Sequence, residues 1–271
     1  MTGAEVIPAA SGVRRHTTLA ASRLASNPGP MTLDGTHSYV LAGPGASSVV
    51  VVDPGPLDEE HLAELAARPV SVVLITHHHL DHTAASAAFH ALTGAPVRAL
   101  DPAFCVGGEP LRDGELIEVA GVRIRVVATP GHTADSVCFV LPDDTGLDGS
   151  STGAGSVLTG DTVLGRGTTV IAHPDGALGA YLSSLDLLAA LGAATVLPAH
   201  GPVLPDLASV VAGYVAHRRV RLAQVEAALE RLGGDAEVVG VTDLVYADVD
   251  PGVRAAAQRS VAAQLAYLQS R

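Results

Sequence analysis

An α/β fold is predicted by three features of this 271-residue sequence. Apolar, β-branched runs alternate with segments of helical spacing, Gly and Pro punctuate the joins, and titratable side chains gather directly behind the apolar runs, where α/β sheets place their ligands. "HSYVLAG" and "SSVVVVDPG", separated by Gly-Pro-Gly, read as paired strands at the start of a sheet. "LDEEHLAELAARP" has helical spacing and stops at a proline, "VSVVLIT" reads as a buried strand, and "DHTAASAAFHALTG" as a helix ended by glycine. "VRIRVVATPGHT", "DSVCFVLP" and "GSVLTGDTV" add strands, each followed by a turn carrying a polar residue. The polar, Gly-rich "DDTGLDGSSTGAGS" is expected to be a mobile hairpin loop without a chemical role. After "VLPAHGPV" the character changes to one long amphipathic helix, "DLASVVAGYVAHRRVRLAQVEAALERLG", then "VVGVTDLVYAD" and the helical "PGVRAAAQRSVAAQLAYLQSR". A boundary near residue 205 therefore divides the chain into a main domain over 1–204 and a C-terminal domain over 205–271. No internal repeat occurs.

Composition narrows the function. The length suits one large α/β domain plus a small appendage. The apolar fraction is 48%, yet no uninterrupted apolar stretch reaches the roughly 20 residues of a membrane-spanning helix. The N-terminal "MTGAEVIPAASGVRRHTTLAASRLASNPGP" contains prolines and an acid and has no continuous hydrophobic region of a leader, so a cytoplasmic protein is expected. Cys105 and Cys138 are the only cysteines, which excludes a disulfide framework or a cysteine-rich zinc site. The net charge of −12 argues against a large nucleic-acid footprint. All 16 basic residues are arginine, which removes Schiff-base chemistry and any lysine clamp for a carboxylate.

"ITHHHLDHT" crowds four histidines and one aspartate behind "VSVVL". Imidazole and carboxylate at this spacing suit a divalent ion, and zinc prefers nitrogen-rich shells. In extended backbone, residues two apart point to one side, so His77 and His79 converge while His78 points away. Asp81 and His82 lie around the turn, placed for a second ion. Further ligands are offered by the later strand-end turns: His132 in "TPGHT", Asp161 in "TGDT" and His200 in "PAHG". A carboxylate such as Asp161 can bridge two metals.

His77-x-His79-x-Asp81-His82, then Gly131-His132, Gly160-Asp161 and Ala199-His200-Gly201, with Asp53 in "VVVVDPG" before them, resembles the five-motif signature of the metallo-β-lactamase superfamily. The resemblance covers roughly residues 30 to 203. The C-terminal extension resembles the small winged-helix-type domain of the β-lactamase-like protein 2 group. The resemblance implies an αββα sandwich with two mixed sheets face to face, helices outside and metals at one edge. It implies two Zn2+, with Mn2+ or Fe2+ as alternatives. His77, His79 and His132 would hold the first ion; Asp81, His82 and His200 the second, with Asp161 bridging. His37 in "GTHSYVL" departs from the asparagine expected there.

Asp53 reads as a buried carboxylate that orients the metal loop without ligating. Thr76 and His78 read as loop-shaping, His173 as a residue that lines a cleft or an exposed loop, and His16, His61, His90 and His217 as solvated. Two zinc ions about 3.5 to 4 Å apart supply an activated water and a Lewis acid together, which suits hydrolysis of esters, thioesters, amides or phosphodiesters. Asp81 or Asp161 would orient the nucleophile and relay its proton. The expected activity is thus a metal-dependent hydrolase. The resemblance implies a phosphodiesterase on single-stranded RNA; the alternative is a small-molecule ester or thioester hydrolase of the glyoxalase II type, with a β-lactamase or a non-hydrolytic di-iron module behind. For RNA, Arg218 and Arg221 would share one helix face as a basic edge beside the cleft; otherwise their stems cover apolar surface and their heads pair with acids such as Glu226.

Overall fold

Two β-sheets lie face to face in the computed structural model, which describes residues 12–150, 153–233 and 236–271. The first sheet runs in order β1 (Val13–Arg15), β2 (Ala20–Leu24), β3 (His37–Leu41), β4 (Val49–Val52), β5 (Val70–Leu74) and β6 (Val97–Arg98). The second runs β11 (Thr195–Pro198), β10 (Ser156–Gly160), β9 (Val137–Leu141), β8 (Val122–Ala128) and β7 (Leu116–Val119). Both are mixed. The expected pairing of β3 with β4 is antiparallel and sets Tyr39 opposite Val52, while β4 and β5 are parallel.

Strand β4 shows why the sequence folds this way. Four consecutive valines put Val50 and Val52 between the sheets and Val49 and Val51 against the outer helices. A strand buried on both faces needs a continuous apolar run, and β-branched residues fit the pleat. Strand β9 does the same: Val137, Phe139 and Leu141 face inward, Cys138 and Val140 outward. Helices α1 (Glu59–Leu65) and α3 (Ser86–Thr93) cover the first sheet through Leu62, Leu65 and Phe89. Helix α1 starts where Asp58 accepts from the His61 N–H at 3.0 Å; α3 stops at Gly94, whose φ of 72° is left-handed. Helices α4 (Leu178–Ala189) and α5 (Leu207–Leu232) cover the second sheet through Tyr181, Leu185, Leu188, Val211 and Tyr214. The layers are therefore helix, sheet, sheet, helix, as expected.

Helix α5 is the 26-residue helix expected after residue 205, and Asp206 caps it by accepting from Ala208 N–H. Helices α6 (Val238–Val245) and α7 (Arg254–Gln269) pack on its later turns around Val225, Ala228, Val241 and Val261. The C-terminal segment is helical, and among the described residues it contains no strand. Among the described residues no helix is long and apolar enough to cross a membrane.

Several elements escape the sequence pattern. β1 and β2 carry no long apolar run, and β6 spans two residues. The hairpin loop after β9 is anchored at one end by a side chain of structural importance. Asp144 is buried and accepts from Thr17 Oγ1 at 2.6 Å, Thr18 Oγ1 at 3.0 Å and Leu19 N–H at 2.9 Å. It thereby ties the start of the chain to the second sheet. Residues 151 and 152 of that loop, and residues 1–11 of the N-terminal stretch, lie outside the described residues. His61 is buried, not solvated: it meets Ser38 Oγ at 2.8 Å, and burial, with Arg23 nearby, lowers its pKa to about 4. His16 is half-buried against Ser22 Oγ at 2.7 Å, with its pKa also lowered to about 4, first by burial. His90 is half-buried and donates to Ala95 O. These histidines close polar gaps between elements, which hydropathy alone does not report.

Candidate metal centre

All seven residues expected as ligands meet at one edge of the sandwich. His77 follows β5, His79 precedes the short helix α2 (Leu80–Thr83), and Asp81 and His82 lie on it. His132, Asp161 and His200 follow β8, β10 and β11. Two glycines permit this convergence. Gly131, at φ 139°, lies so close to α4 that a Cβ would stand 2.3 Å from Tyr181 Cα. Gly160, at φ 49°, would place a Cβ 2.8 Å from that of Thr76, so only glycine lets the two sheet edges approach.

The donors form two groups, His77, His79, His132 and Asp161, and Asp81, His82 and His200, each with its ligand atoms within 4.8 Å of one another. In the first, His79 Nδ1 lies 3.0 Å from His77 Nε2 and 3.1 Å from His132 Nε2. In the second, Asp81 Oδ2 lies 3.3 Å from both His82 Nε2 and His200 Nε2. Asp161 faces both: Oδ2 is 3.6 Å from His132 Nε2, and Oδ1 is 3.2 Å from His200 Nε2.

The outward ring nitrogens fix the tautomers. His132 Nδ1 donates to Val170 O at 2.8 Å, His200 Nδ1 to Gly35 O at 3.0 Å, and His82 Nδ1 to Asp53 Oδ2 at 2.8 Å. Thr76 Oγ1 donates to Asp53 Oδ2 at 2.7 Å, so it accepts from His77 Nδ1 at 3.1 Å. Each of these four histidines thus engages its Nδ1 proton outward and turns Nε2 toward the centre as the atom available to a metal. Asp53 touches no other cluster member than His82, takes the Thr76 N–H as well at 2.8 Å, and holds a φ of 53° that aspartate tolerates.

Charge differs between the groups. Burial, with the neighbouring imidazoles, holds His77 well below its ordinary pKa and His79 at about 4; His132 is lowered too, again chiefly by burial. Burial also opposes charge on His82 and His200, but Asp53 and Asp81 raise the former, and Asp161 with Asp81 raises the latter to about 10. Burial would raise Asp161, yet His200 beside it outweighs this and holds it at about 2; Asp81 is held below the carboxylate range by His82 and His200 against the same opposition. Carboxylates that stay ionised in a buried site, beside histidines that draw protons to balance them, suit a divalent cation for the same reason. The fit to a metal rests on two further observations. Three imidazole nitrogens converge at His79 with at most one proton to share, and the buried His82 Nε2 and Asp161 Oδ1 have no hydrogen-bond partner. A divalent ion satisfies such an array.

A cleft of about 290 Å3 opens over the centre, walled by Met31, Leu33, Leu164 and Val170, with the exposed Arg166–Asp34 pair at 3.3 Å beside it.

A family model described as the metallo-beta-lactamase superfamily matches residues 31–200. The chain belongs to this superfamily. A metallo-beta-lactamase family protein of Thermus thermophilus aligns over 93% of both chains, with 26% identity and a TM-score of 0.74. The lactamase-like protein nscB of Neosartorya fischeri is 35% identical over 225 residues, which is 78% of this chain and 63% of that protein. The atrochrysone carboxyl ACP thioesterase of Aspergillus chevalieri is 34% identical over 82% of this chain and 70% of its own. This member of the superfamily thus spans about 63% of the length of the nscB relative.

Other expected residues find different places. Thr76 shapes the loop through Asp53, and His78 turns away to Asp135 Oδ1 at 2.8 Å and stacks on Phe104. His37 meets Ser22 Oγ at 2.9 Å. His173 lies beside Val238 and Val239 of α6, outside the lining of the metal cleft. Arg218 contradicts both expectations held for it. It is 7% exposed, donates to Thr169 O and stacks on Tyr181 at 5.1 Å, so it meets neither solvent phosphate nor Glu226. Thr169 Oγ1 lies 3.0 Å from His132 Nδ1, so Arg218 supports the segment that orients a ligand. Tyr214, one turn earlier on α5, brackets Leu164 by accepting from its N–H at 2.8 Å and donating to its O at 3.2 Å. Nothing in the local sequence of α5 announces these supports; they follow from helix packing.

Proposed function

We propose that the chain is a divalent-metal hydrolase that cleaves a small-molecule acyl thioester, with Asp81 and Asp161 as its catalytic carboxylates. The convergence of seven donors under an open cleft, four of them histidines with their Nδ1 atoms engaged outward, carries the metal and hydrolase part. His77, His79 and His132 would hold one ion and Asp81, His82 and His200 a second, with Asp161 placed to serve both. Such ions supply Lewis acidity and water activation at neutral pH, zinc being the first candidate for a nitrogen-rich shell. Of the two carboxylates that line the cleft, Asp81 is the more exposed, its side chain 26% against 11% for Asp161. Its Oδ2 accepts from Thr36 Oγ1 at 2.9 Å, which fixes its orientation for taking the proton of an attacking water.

Leaving-group chemistry supports the thioester. Outside the ligand cluster, the protons lining the cleft belong to Thr32, Arg166, Thr168 and Thr169, none of which is a general acid near neutral pH. A thiolate departs without protonation far more readily than an amine does. The relative named as a carboxyl ACP thioesterase supports the same class. The RNA reading loses one of its two arginines, because Arg218 is buried. Residues 205–271 are read as a C-terminal unit that supports the centre.

Two measurements test the proposal. Elemental analysis of protein never exposed to chelator is expected to find close to two divalent ions per chain. A panel of thioester, lactone, chromogenic phosphodiester and oligoribonucleotide is expected to show hydrolysis of the thioester foremost, lost on chelation and restored by Zn2+. Metal-free protein, or cleavage of the oligonucleotide alone, overturns it.

A further inference from the structure

The metal cleft does not end at the main body. Its wall formed by Pro30, Met31 and Thr168–Val170 is also the near wall of a second chamber of about 260 Å3, which lies against the C-terminal helices. The far side of this chamber is apolar, built by Val249, Val253, Ala256 and Ala257. Its polar side is made by His217, Arg218 and Arg221 of α5, with His217 and Arg221 four residues apart on one helix face, and by Tyr246 just after α6.

Five arginines of this acid-rich chain, Arg23, Arg98, Arg123, Arg166 and Arg254, each pair with a carboxylate. Arg221 is one of those that make no ion pair among the described residues, and it is set apart by its place in the chamber wall. Its guanidinium lies over the Tyr246 ring at 4.7 Å and reaches Gln224 Oε1 at 3.0 Å and Val245 O at 3.4 Å, which aims it while leaving its charge uncompensated. His217 Nδ1 is buried and also lacks a hydrogen-bond partner. Burial, and after it the charges of Arg218 and Arg221, lowers the His217 pKa. An anion between His217 and Arg221 would satisfy both groups at once.

We propose that this chamber receives one end of an extended thioester and that Arg221, with His217, binds an anionic group there. That group is either a carboxylate on the acyl chain or the phosphate of the thiol-bearing arm. The inference rests on the thioesterase reading for the identity of the ligand, while the site itself stands on the chamber's own geometry.

The experiment compares thioesters of matched length: a neutral acyl N-acetylcysteamine thioester, its ω-carboxyacyl counterpart, and the neutral acyl thioester of phosphopantetheine. In the parent, whichever anionic substrate seats its charge in the chamber is expected to have the lower KM, and this identifies the end that enters. Arg221→Gln is expected to reduce the preference for that substrate over the neutral one about tenfold, through KM rather than kcat, as loss of one charge-assisted contact implies. Arg221→Lys is expected to restore part of it. Equal preference in the parent, or an Arg221→Gln variant with the parent's preference, overturns the proposal. If the parent hydrolyses no thioester, the functional reading fails by itself. The chamber is then judged by calorimetry with suberate: binding that is weakened by Arg221→Gln sustains the anion site, and no binding to the parent removes it.

Discussion

The two ligand groups are built alike but supported from opposite ends of the chain. Asp81, His82 and His200 lean on early residues: Thr36 on Asp81, Gly35 on His200, Asp53 on His82. His132 and Asp161 lean on late ones. Val170 and Thr169 orient His132, Arg218 holds Thr169, and Tyr181 OH donates to Thr162 O beside Asp161 at 2.7 Å. Charge follows the same division, with neutral imidazoles dominating one group and two carboxylate-paired histidines the other. Matching ligands therefore do not imply matching sensitivity. Each ligand group depends most on a different part of the molecule, and mutations remote from the centre should separate them.

Asp161→Ala attacks what the groups share. It is expected to abolish turnover and lower occupancy of both positions while the chain stays folded, because the side chain touches one edge of the sandwich. Circular dichroism, elemental analysis and any substrate that the parent cleaves check this; parental rates in the variant refute the shared role. Asp53→Ala comes next and should act foremost on the group of His82, which Asp53 touches directly, and on His77 only through Thr76. It strands His82 Nδ1–H and Thr76 N–H in a buried site, with an expected loss of about 3 kcal/mol in stability. Affinity at the His82 position should fall about tenfold or more. Thermal unfolding with and without added Zn2+ measures both, and a weakened His132 position with an intact His82 position contradicts the division. Arg218→Met has the smallest effect and the opposite target: metal competition against a chromogenic chelator should show about tenfold weaker binding at the His132 position alone. Equal weakening at both positions would mean that α5 holds the fold in general and not one ligand.

The sequence makes the ligands legible because each sits in a short motif whose spacing is set by local geometry. His77 and His79 converge through strand periodicity, and the Gly-His and Gly-Asp pairs mark backbone approaches that no Cβ permits. Strand β4 is equally plain from four valines. What sequence cannot display is the partner of a side chain from a distant element. Arg218 reads as a basic helix edge until Thr169 and Tyr181 are seen against it, and His61 reads as solvated until Ser38 is placed beside it. β1 and β2 are quiet for a related reason: their burial comes from neighbours more than from their own hydropathy.

The bond from His200 Nδ1 to Gly35 O spans 165 residues, and the one from Arg218 to Thr169 O recruits a helix further still along the chain. Closing contacts of such separation carries a loop-entropy cost, and topologies dominated by them fold slowly. During synthesis, Asp53 and the HxHxDH turn are made long before either His200 or α5. A nascent chain can thus present half of a chelating site while the residues that complete and orient it are still to come. The full donor set exists only after both ends have docked, so metal loading reports completion of the fold as much as affinity.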